Sequence, residues 1–282
     1  MVSVPKSKVP ECVLWAAVII CLLVVFQGFF RTLFSLWGKD SEYAYGMLIP
    51  FVVAYLLWTR RQSNSLSETR SWIAGLFMVL AGCIIQMIAS RSGTLLLSGL
   101  ALSVTLIGCA GFLWGRKYAH SASAPLAMLI LMAPAPSYLA NGITWRMQVL
   151  ASTISSVILR FLGVPVYHDG NLLVLSSYVL EVKEACSGSR SFLAILVLAL
   201  VLALRVKRKW YGRVLLLIIA PVLSVVANLI RIVGTGLVAN KWGTLAANDS
   251  LHSAWGVVVF LLAVLGLLKF ERLLKWSTNA YA

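Results

Sequence analysis

The sequence predicts an all-α polytopic membrane protein of about eight transmembrane helices, with an outer amphipathic helix and a small β-hairpin ahead of the sixth. Three observations predict it. The 282 residues are 60% hydrophobic and 12% charged, where a soluble domain carries about 25% charged residues. Apolar stretches close to the roughly 20 residues needed to cross a bilayer recur along the chain. Lysine and arginine gather in short clusters at the ends of those stretches, as loops flanking membrane helices do. A soluble fold of this length could not hide so much apolar surface. The formal charge of +15 would point to nucleic acid in a soluble chain. Here the basic residues flank apolar runs, so nucleic-acid binding is excluded and the bilayer is the expected partner.

The eight expected crossings are 12–30, 46–58, 72–89, 93–115, 122–138, 188–204, 214–236 and 253–270. Lys6 and Lys8 precede the first, which is long for a signal-peptide core and has no small-residue cleavage site after it, so it reads as a retained anchor. The second is short and contains Pro50; the fifth ends near Pro134 and Pro136. With the N-terminus inside, inner segments hold fifteen of the 24 basic residues, in clusters such as Arg60-Arg61, Arg116-Lys117 and Arg205 to Arg213, and outer segments hold nine. That asymmetry predicts both termini on the cytoplasmic side. The whole chain, 1–282, reads as a single integral membrane domain.

One outer segment, 139–187, interrupts the pattern. Ile143, Met147, Leu150, Ile154, Val157, Ile158 and Phe161 recur at helical spacing, with Thr144, Gln148, Ser152 and Ser155 opposite. With Trp145 alongside, this predicts an amphipathic helix lying in the outer interface. Asp169-Gly170-Asn171 then separates two runs of β-forming residues, and Ser176-Ser177 separates the second from Tyr178–Val182. The pattern predicts a hairpin or meander just before Cys186.

Four of the five cysteines, Cys12, Cys21, Cys83 and Cys109, lie in apolar runs and read as small hydrophobes. Cys186 alone sits in a polar stretch, at the outer end of the sixth crossing. A thiol in a helix's first turn feels the positive end of the dipole, and Arg190 adds to it; both favour the reactive thiolate. The alternative is a packing cysteine at a helix end. Arg231 lies near the outer end of the otherwise apolar seventh crossing, with Asn228 three residues before it. Arginine at the centre of a bilayer costs roughly 2.5–3.5 kcal/mol on insertion scales, so it tends to face the protein interior with a task, such as holding an oxyanion or carboxylate. The alternative is an arginine reaching to the outer headgroups. His252 opens the eighth crossing, again outside, where a helix N-terminus favours neutral imidazole able to accept a proton. Its alternative is an interfacial histidine bound to headgroups or water. His168, on the hairpin, is the second candidate base, and His120 falls on the inner side. The acids and histidines show no metal-ligand spacing and no phosphate loop is present, so neither metal nor cofactor is expected. The residues alone leave open a transporter or a lipid- or polysaccharide-handling protein using the arginine to bind substrate, and an assembly factor that binds helices without cutting them.

Taken together, Glu184-Ala185-Cys186-Ser187-Gly188-Ser189-Arg190, Asn228-x-x-Arg231 and His252 at the head of the last helix resemble the three signature blocks of the exosortase/archaeosortase family. Asp40 to Pro50 is similar to that family's early block, with Tyr45 where a histidine is often found, and Pro165 to Glu184 is similar to the stretch leading into its cysteine. The resemblance implies a cysteine-dependent protease/transpeptidase of the bacterial inner membrane. Its substrates would be exported, membrane-anchored proteins bearing a C-terminal sorting signal: a short motif, often with Pro-Glu-Pro, then an apolar helix and a basic cluster. Cys186, Arg231 and His252 would be catalytic, supported by Asn228, Arg190 and Glu184. The new carboxyl end would pass to an amine or hydroxyl acceptor.

Overall fold

In the computed structural model the described residues are 11–39, 43–61, 72–176, 178–182, 189–205, 210–243 and 249–279. The chain divides into two compact units, Met1–Ala135 and Pro136–Ala282.

In the first unit, helices α1 (Glu11–Val25) and α2 (Gln27–Lys39) meet at a 68° bend around Phe26. The expected first crossing is therefore a bent pair. Phe29, Leu33 and Trp37, spaced by four, form the buried stripe of α2. A 3-10 turn (Ala44–Leu48) leads into α3 (Ile49–Arg61). Pro50 sits in the first turn of α3, where its missing N–H is no loss and its fixed φ suits a helix start. Gly46 of the early block is buried because the chain passes close there: a Cβ would lie 2.7 Å from the Trp37 indole nitrogen and 2.8 Å from the Met132 carbonyl. Helices α4 (Ile73–Ser92) and α5 (Leu95–Trp114) are joined through Gly93, whose φ of 67° supplies the left-handed helix end that glycine adopts freely. Helix α6 (Arg116–Ala127) carries Pro125, which removes a helical hydrogen bond, and the chain tightens into a 3-10 segment (Met128–Met132) before Pro134.

The α4–α5 pair is the tightest packing in this unit. A Cβ on Gly75 would lie 2.6 Å from the Phe112 backbone nitrogen, and one on Gly108 would lie 2.7 Å from the Gly75 carbonyl. Small residues let two backbones touch, which is how helices associate where lipid is as apolar as leucine. Ser103 and Thr105 donate their hydroxyls to carbonyls four residues back in α5, so the pair buries no orphan hydroxyl there. The opposite face of α4 presents Leu76, Phe77, Leu80, Ile84, Met87 and Ile88 outward. An exposed apolar face on a 20-residue helix is a lipid-facing surface.

In the second unit, α7 (Ser137–Phe161) is followed by a three-stranded antiparallel sheet, β1 (Val166–Asp169), β2 (Leu172–Leu175) and β3 (Val179–Glu181), in the order β1-β2-β3. Gly170 and Asn171 form the two-residue loop, with Gly170 at φ 58° and Asn171 at negative φ, the pattern of a type II′ hairpin. Three helices complete the unit: α8 (Ser189–Arg205), α9 (Trp210–Trp242) and α10 (Asp249–Asn279). The expected hairpin or meander is present as this sheet. Along β1–β3, residues alternate between buried and open: Val166, Leu173, Leu175, Leu180 and Val182 point into a core shared with Ala151 and Leu159 of α7 and Ile232 of α9.

The amphipathic helix is also present, but its faces are used the other way round from an interfacial helix lying on water. Gln148, Ser152, Ser155 and Ser156 are buried, while Ile143, Leu150, Val157 and Phe161 are exposed. The sheet supplies part of the reason: the Ser152 hydroxyl donates to the Gly170 carbonyl at 2.7 Å, while the buried Ser155 hydroxyl has no hydrogen-bond partner among the described residues.

Among the described residues, length and composition mark three helices as spans, α4, α5 and α9, or four if the α1–α2 bent pair counts as one. Ala44–Arg60 and Ser191–Arg205 are shorter apolar helices. The molecule is thus a helical membrane protein with a small sheet.

The α4–α5 contact yields a stability test. Gly108→Val should lower the unfolding midpoint in detergent, by about 1–3 kcal/mol from overpacking against backbone that cannot move aside. Gly38→Ala, where nothing lies within 4 Å, should leave it unchanged.

Candidate active site

A long apolar helix has no internal use for a guanidinium, so Arg231 must find its place in a neighbour. It does so on α10. A Cβ on Gly256 would lie 2.8 Å from Arg231 Cζ and 3.0 Å from both Nε and Nη2, so the guanidinium rests where that side chain would be. The contact is reciprocal. A Cβ on Gly234 of α9 would lie 2.8 Å from the Trp255 indole nitrogen, so the indole of α10 lies over a gap in α9. The Trp255 Nε1–H donates to the Arg231 carbonyl at 3.3 Å, and the Thr235 hydroxyl donates to the same carbonyl at 2.9 Å. Further along, Leu223 meets Gly266, which makes the two helices antiparallel. Below the arginine, Ala227, Val259, Ala263 and Leu267 close the seam with apolar contacts to α8.

His252 stands four positions before Gly256 on α10, hence on the same helical face and about 6 Å nearer its N-terminus. The antiparallel pairing puts its backbone close to the level of Thr235. The structure therefore brings the His252 position and the Arg231 guanidinium onto one seam. The side chain of His252 lies outside the described residues, as does that of Arg190, whose backbone is in the first turn of α8. Glu184 and Cys186 fall in 183–188, also outside them.

Asn228 is buried, but it turns to a different neighbour from Arg231. With Ser224, Val225 and Leu229 it lines a small cleft of about 40 Å³ against Met147, Leu150, Ala151 and Ile154 of α7. The sheet sits on the same side of α9, through Ile232, Leu229 and Val233. Asn171 holds the strand that leaves it: its carbonyl accepts from the Val182 N–H at 2.9 Å, and its side-chain amide donates to the Val182 carbonyl at 3.4 Å. The Gly170-Asn171 turn thus fixes the point from which the chain enters 183–188.

His168, the second candidate base, is engaged elsewhere. Its Nε2 lies 3.1 Å from the Ser152 hydroxyl, and that hydroxyl spends its proton on a backbone carbonyl. In the tautomer with the proton on Nε2, that N–H donates to the Ser152 hydroxyl. His168 pins β1 to α7. Among the described residues, no three His, Cys, Asp or Glu side chains converge in a manner that could hold a metal.

Trp255, Gly256, Gly234 and Thr235 were not singled out in the sequence. Their signal was present in outline: glycines three residues after Arg231 and four after His252, on helices rich in apolar residues.

The pinning role of His168 can be measured. His168→Ala should lower the unfolding midpoint by about 1 kcal/mol, and a double-mutant cycle with Ser152→Ala should show coupling of about 0.5–1.5 kcal/mol. Two additive losses would show that the contact is incidental.

Comparison with known proteins adds one match. A family model for the transmembrane exosortase matches residues 37–269. No curated protein and no solved structure shows a significant match. The matched stretch takes in the early block, the sheet, Arg231, Trp255, Gly256 and His252, and runs through most of α10. The chain belongs to the transmembrane exosortase family of membrane-embedded sorting peptidases and transpeptidases.

Proposed function

We propose that this protein is a cysteine protease/transpeptidase that cleaves C-terminal sorting signals of exported, membrane-anchored proteins at the outer face of the bacterial inner membrane. One observation supports it above the others: the Arg231 guanidinium is held in the α9–α10 seam about one helical turn from the His252 position. A fixed, always-charged fork beside a histidine is the arrangement acyl transfer uses for its oxyanion and its proton. Chain length is consistent with Cys186 as the third partner. Cys186 follows Val182 by four residues, a reach of at most about 14 Å, and Val182 packs in the same cluster as Ile232, the neighbour of Arg231.

The chain crosses the membrane eight times in this reading, with both termini cytoplasmic and the seam's upper end outside. The substrate's own apolar helix lies against the bundle and brings its scissile peptide to the outer boundary. The Cys186 thiol gives its proton to His252 and the sulfur attacks the carbonyl carbon. Charge develops on the carbonyl oxygen, where the Arg231 fork donates hydrogen bonds. His252 returns the proton to the departing amine as the C–N bond breaks, leaving a thioester on Cys186. An amine, a hydroxyl or water then attacks that thioester, giving its proton to His252, and the thiol is regenerated. Asn228, which faces α7 rather than the seam, supports Arg231 from the preceding turn of α9, and Glu184 and Arg190 flank the cysteine and support it.

Two substitutions test this. Cys186→Ala should abolish processing of a co-expressed substrate while the protein still reaches the membrane; undiminished processing would sink the mechanism. Arg231→Lys keeps the charge but loses the planar pair of donors, so it should lower the rate about 100-fold or more. Wild-type rates in that variant would show that a point charge suffices.

A further inference from the structure

The fit of Arg231 against Gly256 is a steric condition, and it says more than that the two residues touch. A Cβ at Gly75 or Gly108 would meet backbone, which cannot move aside. The three atoms nearest to a Cβ at Gly256 would be Cζ, Nε and Nη2 of Arg231, the far end of a long and flexible side chain. Such a side chain gives way by rotating. The added methyl would therefore be absorbed by moving the guanidinium rather than by parting the helices. Meanwhile the backbone of Arg231 stays anchored from the other side: Trp255 lies in the gap above Gly234, and its indole N–H and the Thr235 hydroxyl both hold the Arg231 carbonyl. The pair of glycines and the tryptophan together define one position for the charge relative to α10.

We propose that Gly256 is the seat of the Arg231 guanidinium, a positioning residue whose missing side chain sets where the charged fork is presented, with Trp255 keyed over Gly234 fixing the helix register that makes the seat. Gly256 acts through Arg231 and touches no substrate. Its effect on turnover rests on the function proposed above, but its dependence on Arg231 does not.

The experiment is a double-mutant cycle on the full-length protein in membranes, with Gly256→Ala, Arg231→Ala and the two combined. Single-turnover thioester formation on a co-reconstituted substrate and the unfolding midpoint are both read. Gly256→Ala alone should slow acylation about tenfold to a hundredfold, as an ångström-scale misplacement does, with substrate binding unchanged. In the Arg231→Ala background the atoms that the new methyl meets are gone, so Gly256→Ala should cause no further slowing. Should Gly256→Ala instead lower the midpoint, the same cycle applies there: the loss must vanish once Arg231 is alanine. A rate or midpoint loss that persists undiminished in the Arg231→Ala background overturns the seat and assigns Gly256 to general helix packing. Wild-type acylation and midpoint in Gly256→Ala overturn it as well. Cys186→Ala run in parallel separates the two ideas. If that variant still processes substrate, the proposed chemistry fails and the midpoint cycle alone decides the seat. If it is inactive while Gly256→Ala is fully active, only the seat fails.

Discussion

A guanidinium cannot shed its proton, so a place for Arg231 constrains how α9 and α10 pack. Its side chain occupies the space that a residue at Gly256 would fill, and the indole of the same helix fills the matching space over Gly234. Each helix thus supplies both a projection and a gap. The Arg231 carbonyl, already within a helix, receives two further donors, one from each helix. A charge in a low-dielectric setting is tolerated when its surroundings are fixed in advance, and fixed surroundings are also what catalysis by charge stabilisation requires.

The sheet is small, yet it couples three things. Its buried face ties α7 to α9, its first strand is pinned to α7 through His168 and Ser152, and its last strand is clamped at Val182 by Asn171. In a membrane protein a short sheet needs its backbone groups satisfied, and a two-residue turn with glycine at its first position does this in few residues. The sheet is therefore a compact way to tie α7 to α9 and to fix the chain at Val182.

Polar and apolar surfaces follow the logic of lipid throughout. Helix α7 buries the paired hydroxyls of Ser152 and Ser156 and exposes Val157 and Phe161, and α4 buries its glycines and exposes its large side chains. Where the surroundings are themselves apolar, burying a leucine brings no gain, while pairing a hydroxyl or bringing two backbones into contact does.

The membrane class and the hairpin at Gly170 were legible in the sequence itself; the helix start at Pro50 and the helix end at Gly93 also follow from local rules, although the expected crossings ran 46–58 and 93–115. Each depends on a local rule: the restricted φ of proline, the free φ of glycine, or the cost of a charge within an apolar run. The tertiary structure alone decided the bend at Phe26, the inward turn of α7's polar stripe, the engagement of His168 with Ser152, and the separate neighbours of Asn228 and Arg231. Periodicity along one helix says which residues share a face. It does not say which helix that face will meet, because among uniformly apolar helices the choice is made by shape, and shape complementarity between Arg231 and Gly256 exists only once α9 and α10 lie side by side.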